Sequence, residues 1–272
     1  MRKGKSVIQF PRHKKYLSAM NKISIVIITY NEESRIRQTI ESAKWCDEIV
    51  VVDSCSIDKT VDICKEYSNC KIYSQVFLGY GLQKKFAIEK ASNDWVLSID
   101  ADEVITDALR NELISIPSNP VIPIVGFYVP VTLVFMNKIF RFGCENKKQH
   151  LRFFNKKEGN FDACNLHESV NINGHTLNLK NELLHYSYHD IHHYFQKFND
   201  YTSKFADGAL KKGKHVGRFM SVFRLILEFL RQYFMRRNFL NGYPGFVWSV
   251  FSSFYVFVKL TKLYEKSLKV KI

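Results

Sequence analysis

The tetrapeptide Asp100-Ala101-Asp102-Glu103 directly follows the apolar run Trp95-Val96-Leu97-Ser98-Ile99. Such a run reads as a buried strand, and carboxylates in alternate positions at its end are costly to bury unless a cation offsets them. Hard oxygen ligands of this kind suit Mg²⁺ or Mn²⁺, above all where a phosphate completes the coordination shell. The chemistry to expect is that of a metal-bound phosphate compound. The alternative is an acidic turn that caps the next helix.

Something must hold that cluster in place. Ile23–Tyr30 is a continuous apolar, β-branched run, the pattern of a strand buried on both faces of a parallel sheet. Glu48–Val52 is a second such strand ending at Asp53, Lys71–Gln75 a third, and Asp94–Ile99 a fourth. Between them the sequence predicts helices over Glu32–Ala43, from an Asp58 cap to about Tyr67, and over Leu82–Ala91, with another at Asp107–Ile116. Alternating strands and helices with short connections imply a doubly wound α/β sheet. Ligands of such sheets sit beyond the carboxyl ends of the strands. Tyr30, Asp53 and Asp100 all lie at those ends.

After Pro117–Pro123 the pattern changes. Strands are expected over Gly126–Phe135, Lys138–Phe142, Gln149–Asn155 and Leu177–Tyr186, and a helix over His189–Lys211. Two apolar segments follow, Phe219–Arg237 and Phe246–Leu260, split by Asn241-Gly242-Tyr243-Pro244-Gly245. The second is short of the roughly 20 residues a bilayer span needs. Both suit helices lying in a membrane interface, or else helices packed on the core or in a dimer.

The 272 residues carry a net charge of +14, unevenly placed. Residues 1–22 have seven Lys/Arg and no acid, and residues 204–272 have fourteen against three, while the middle is slightly acidic. Basic ends around an acidic centre argue against nucleic acid, whose ligands would run along the fold, and for a membrane surface. The expected organisation is a basic extension at 1–22, a catalytic unit at 23–212 and basic, aromatic helices at 213–272. Residues 1–19 read as an extension or as an upstream, misassigned start, since Met20 directly precedes the first strand. The six cysteines show no CxxC pair and no Cys/His ligand spacing, which suits free thiols in a reducing cytosol.

Ile25-Val26-Ile27-Ile28-Thr29-Tyr30-Asn31-Glu32-Glu33 resembles the opening strand of family 2 glycosyltransferases, which have the GT-A fold. Ile49–Thr60, with its Ser56-x-Asp58-x-Thr60 pattern, resembles their second strand and turn, and Trp95–Glu103 the strand bearing their DxD motif. Gly79–Lys84, Leu151–Phe154, His167–Val170 and His185–Tyr188 are similar to bacterial lipopolysaccharide-core glycosyltransferases, including the inner-core β-1,4-glucosyltransferase group. One stretch departs: Gly143-Cys144-Glu145-Asn146-Lys147 stands where Gly-Trp-Tyr-Pro-Asp is common. That region should face the acceptor, whose identity is therefore not carried over.

The resemblance implies an inverting, metal-dependent transferase that moves a sugar, a hexose by the closest resemblance, from a nucleotide-diphospho-sugar to a lipid-linked glycan at the cytosolic membrane face. Tyr30, Glu32 and Asp53 would bind the nucleotide; Asp100 and Asp102 would hold Mn²⁺ or Mg²⁺ against the diphosphate. His185 is a candidate third ligand, or a core histidine. Lys84 and Arg152 would meet phosphates, or be an exposed helical lysine and a surface-strand charge. Glu168, beside His167, would be the base that deprotonates the acceptor hydroxyl, or else a partner for a lysine. Competing readings are a glycosyltransferase of another glycan pathway, an inactive membrane-associated nucleotide-sugar binder, and a haloacid-dehalogenase-type phosphatase. The phosphatase normally carries its Asp-x-Asp on the first strand.

Overall fold

The structure is a computed structural model, described here for residues 22–116, 123–161 and 170–269. The basic extension, Glu168 with His167, Cys164 and most of the Pro117–Pro123 link lie outside the described residues.

The first half alternates as expected. It runs β1 (Ile23–Thr29), α1 (Ile36–Ala43), β2 (Glu48–Asp53), α2 (Thr60–Lys65), β3 (Cys70–Ser74), α3 (Tyr80–Lys90), β4 (Trp95–Asp100), β5 (Glu103–Ile105) and α4 (Asp107–Ile114). The second half comprises β6 (Ile124–Phe135), β7 (Lys138–Ile139), β8 (Lys148–Asn155), β9 (Gly159–Phe161), β10 (Val170–Ile172), β11 (His175–Asn178), β12 (Leu183–His185), α5 (Ile191–Lys211), α6 (Arg218–Leu230) and α7 (Tyr243–Lys269). The main sheet has the order β3-β2-β1-β4-β8-β6-β12-β5. Strands β1 to β4 are parallel, and β8 enters antiparallel between β4 and β6. This is the GT-A arrangement, a mostly parallel sheet covered on both faces.

The two-residue side-chain period of a strand divides the core. Ile25, Ile27, Ile49 and Val51 face one layer with Ile36 and Ile40 of α1 and Leu109 of α4. Val26, Val50 and Val52 face the other with Ala87 and Ile88 of α3. Both faces are buried, which is why β1 and β2 read as unbroken apolar runs.

The strand expected over Lys138–Phe142 is only Lys138–Ile139 and the Phe219–Arg237 segment is α-helical over Arg218–Leu230, while three further differences have a visible cause. The segment from Leu177 to Tyr186 is two strands, not one. Between them Lys180 and Asn181 donate backbone N–H groups to the Glu112 carboxylate at 3.0 and 2.9 Å, turning the chain. The first helix begins at Ile36 because residues 31–33 are held in a loop by the β2–α2 turn. The last helix is one 27-residue element, Tyr243–Lys269, not the shorter Phe246–Leu260 segment. Pro244 is tolerated because a first-turn N–H has no helical partner to lose. Tyr243–Leu268 is long and apolar enough to cross a membrane.

Helix α7 is also docked. Trp248, Phe251 and Tyr255 join Phe135, Phe140, Tyr194 and Phe198 in an aromatic cluster, and Leu263 packs on Ala206 and Ala209 of α5. The Lys262 ammonium donates to the Thr202 and Ser203 hydroxyls, both at 2.9 Å. Its start is fitted closely: a Cβ on Gly245 would lie 2.0 Å from the Asn238 carbonyl oxygen.

Candidate active site

The site is built on the loop ends of β1, β2 and β4. Asn31, with φ of 52°, turns the chain out of β1, and its side-chain oxygen accepts from Ile57 N at 2.9 Å. The Ser56-x-Asp58-x-Thr60 pattern answers from the other side. The Ser56 hydroxyl accepts from Asn31 N at 2.8 Å, the Thr60 hydroxyl from Glu32 N at 2.8 Å, and the Asp58 carboxylate from Glu33 N at 3.0 Å. The three side chains thus fix residues 31–33. Asp53 belongs to the same scaffold: its carboxylate accepts the Ser56 N–H at 2.9 Å and hydroxyl at 2.5 Å, and it is buried. It sits behind the cleft, not among the residues that line it.

A cleft of about 800 Å³ opens beside these ends, lined among others by Tyr30, Glu32, Lys84, Asp100, Asp102 and His185. Tyr30 stands at its rim, 57% exposed. Gly79, at φ 109°, lets the chain turn into α3, and Lys84 on that helix is almost fully buried with its ammonium 2.8 Å from Asp100 Oδ1. Arg152 of β8 reaches the other oxygen, Oδ2, at 2.9 Å, and also holds Glu103 at 2.9 Å. Burial opposes the charge on Asp100, but Lys84 and Arg152 outweigh it and hold the carboxyl far below its ordinary range. Lys84 and Arg152 are thus members of the buried lattice, neither a free helical lysine nor a surface charge. Glu103, with no exposed surface, is pushed upward by burial.

Asp102 is organised differently. Its Oδ2 lies 3.3 Å from His185 Nε2, where β12 pairs with β5. Burial disfavours charge on both groups, yet their mutual attraction prevails: Asp102 is held below its usual range and His185 is raised to about 9. Among the described residues no group of three or more His, Cys, Asp or Glu is arranged to hold a metal. Asp102 supplies an oxygen donor on the cleft wall, and His185 would add a nitrogen donor on giving up its proton to an arriving cation; that pair of donors suits Mn²⁺ and leaves other positions to phosphate oxygens. Both oxygens of Asp100 are taken by cations.

Residues that the sequence reading passed over complete the wall. His193, Lys197 and Tyr201 of α5 line the cleft at a spacing of four, one face of a helix. That i, i+4, i+8 polar pattern was the available signal. Lys197 donates to the Ser187 carbonyl at 2.9 Å. His189 lies 3.5 Å from Glu32 and is stacked on His193 with ring centroids 4.7 Å apart.

Glu32 itself is raised to about 7 from an ordinary 4.5, by burial first and Asp102 second. One of its oxygens is buried without a hydrogen-bond partner among the described residues. A raised carboxyl favours the fold below the unfolded pKa and loses that contribution as pH rises towards 7. Glu32→Gln should therefore match the wild type in thermal stability at pH 4.5 and exceed it at pH 8. An unchanged difference between the two pH values would refute the burial of an ionising Glu32.

The sequence profile of glycosyl transferase family 2 matches residues 24–167, which span β1 to β9. The chain belongs to this family. A glycosyltransferase of Rickettsia typhi is 36% identical over 263 residues, covering 92% of this chain and 89% of that one. The lipopolysaccharide core biosynthesis glycosyltransferase LpsC of Rhizobium meliloti is 29% identical, covering 90% and 92%. Among solved structures, the mannosyltransferase PcManGT of Pyrobaculum calidifontis, in complex with GDP-Man and Mn²⁺, aligns with TM-score 0.49 and 13% identity over 92% of this chain and 90% of its own.

Proposed function

We propose that this family 2 glycosyltransferase moves a sugar, with inversion, from a nucleotide-diphospho-sugar to a lipid-linked glycan of lipopolysaccharide-core type. The observation that carries the reading is the Asp102–His185 pair beside the Lys84–Asp100–Arg152 lattice, in one cleft at the carboxyl ends of parallel strands. LpsC, similar along nearly its whole length, supports the lipopolysaccharide assignment.

In this reading Tyr30 stacks on the base, and the Glu32 oxygen that lies 3.5 Å from His189 takes a hydrogen bond from base or ribose. Asp53 acts from behind, by holding the loop that presents both. Asp102 and His185 would hold a divalent cation, whose chemistry there would be to offset charge on the leaving nucleoside diphosphate. Lys84 and Arg152 fix Asp100 and bring positive charge toward the same phosphates. Glu168 is assigned the base role from the sequence.

The membrane-facing part is residues 213–272, with the 23–212 unit as its catalytic partner. Phe219, Phe223, Ile226, Phe234, Met235 and Tyr243 are exposed, with Arg224, Arg231 and Arg237 exposed in the same stretch. Apolar surface among arginines suits an anionic interface. Because α7 is pinned along its length to α5, the reading is a surface lying in one leaflet at the cytosolic face, not a lone span.

The test is thermal stabilisation by each common nucleotide sugar with and without Mn²⁺, then hydrolysis of the one that binds. Stabilisation that needs Mn²⁺ and is followed by turnover is the expected result. Metal-independent binding without turnover would instead favour an inactive nucleotide-sugar binder.

A further inference from the structure

A second, smaller cavity of about 220 Å³ adjoins the cleft and shares His185, Ser187 and Tyr188 with it. Its remaining wall comes from β5 and β6, from β8 with Lys148, His150 and Arg152, from the 140s loop with Glu145, and from α7 with Trp248. Trp248 is half-buried, set edge-on against Phe135 at 5.3 Å and Phe140 at 6.0 Å. Its neighbours Phe246, Val250 and Phe254 are exposed. The indole therefore stands on a helix whose other side is the exposed apolar surface.

The 140s loop is tied to that same C-terminal unit. Asn241 accepts from Arg141 N and donates to the Phe142 carbonyl, both at 3.0 Å. Gly143, at φ +93°, sits so close that a Cβ would lie 2.2 Å from Asn238 Oδ1. The Gly143–Lys147 stretch is thus tied to the C-terminal elements on one side and, through Glu145, lines the small cavity on the other.

The lining carries two cations, Lys148 and Arg152, with the imidazoles of His150 and His185, and two carboxylates, Glu103 and Glu145. Arg152 and Glu103 are paired to each other, and His185 to Asp102. Lys148 is exposed and makes no ion pair among the described residues, and the His150 ring has no hydrogen-bond partner there. His150 is pushed down to about 4, by burial first and then by the neighbouring Arg152 and Lys148.

We propose that this cavity is the acceptor subsite, and that it seats a saccharide ring bearing an anionic substituent, phosphate or carboxylate. Trp248 is the platform for the ring, and Lys148 with His150 takes the anion. Glu145 is left to accept from sugar hydroxyls. The assignment rests on the glycosyltransferase reading and adds the acceptor's charge to it. It also gives α7 a second task, since the helix that meets the lipid surface carries one wall of the subsite.

Binding of a deacylated acidic oligosaccharide is measured by calorimetry, alongside the same sugar after phosphatase treatment and after carboxyl reduction. One of the two treatments should weaken binding at least tenfold, and which one identifies the anion. Lys148→Glu should weaken the acidic form at least tenfold and abolish the preference, and Lys148→Arg should restore it. Trp248→Leu should lose both forms while Trp248→Tyr keeps them. Equal binding of acidic and neutral sugars by the wild type, or an unchanged preference in Lys148→Glu, would overturn the proposal. So would a loss of nucleotide-sugar affinity in Lys148→Glu equal to its loss of acceptor affinity. Failure of the wild type to hydrolyse any nucleotide sugar with Mn²⁺ would overturn the enzymatic reading instead.

Discussion

Asp102→Asn should lower sugar transfer by at least about a thousandfold, the effect of losing several kcal/mol of transition-state charge stabilisation. The fold should survive. Asparagine has nearly the same shape and still offers an oxygen to His185 Nε2, 3.3 Å away in the wild type. What it lacks is the charge that draws a divalent cation. Calorimetry with and without Mn²⁺ should show nucleotide-sugar binding that no longer depends on the metal. An independent readout is the His185 titration. Its proton is retained to about pH 9 by Asp102, against burial. In the variant the strongest of the groups that raise it is gone, and the imidazole should titrate well below its wild-type value. Mn²⁺-dependent transfer at wild-type rate would remove Asp102 from the metal site. A silent melt and a shifted His185 with activity lost would separate a chemical role from a structural one.

The parts legible in the sequence are those governed by local pattern. The β1, β2 and β4 runs are mostly apolar because both sheet faces are covered, and their β-branched residues and short length mark them as strands. Asp100 and Asp102 were visible as a strand-end pair. What could not be read is how the two divide their work, because their partners come from β8, α3 and β12, at sequence distances where one chain shows no coupling. The Ser56-x-Asp58-x-Thr60 pattern was visible but its task was not: it makes hydrogen bonds to backbone N–H groups of residues 31–33, and backbone donors leave no trace in side-chain identity. The single strand read over Leu177–Tyr186 failed for a related reason. Its interruption is caused by Glu112, about seventy positions earlier. The 27-residue α7 was under-read because Tyr243-Pro244-Gly245 carries breaker residues, and only the close fit on Asn238 shows why a helix begins there.

Arg152→Met should be the most destabilising of the changes considered, and for a reason separate from catalysis. Its guanidinium holds Glu103, which has no exposed surface, and one oxygen of Asp100. Breaking a buried pair by removing one partner costs about 3–5 kcal/mol, because the remaining charge is left without compensation. For a chain of this size that is a fall in melting temperature of roughly 10 °C. Asp100 keeps Lys84 at 2.8 Å, so the orphaned group is Glu103. Its carboxyl is already raised by burial, and loss of Arg152 raises it further. A group with a raised folded pKa supports the fold below its unfolded value and withdraws that support as pH rises. The defect should accordingly be small near pH 4 and grow towards pH 8. Adding Glu103→Gln removes the orphaned charge, so the double variant should regain most of the lost stability at pH 8. Activity should not return with it, since Asp100 then has one cation where it had two and the phosphate side of the cleft has lost a positive charge. A single variant that melts like the wild type, or a double variant no more stable than the single, would show that Arg152 is not what keeps Glu103 buried.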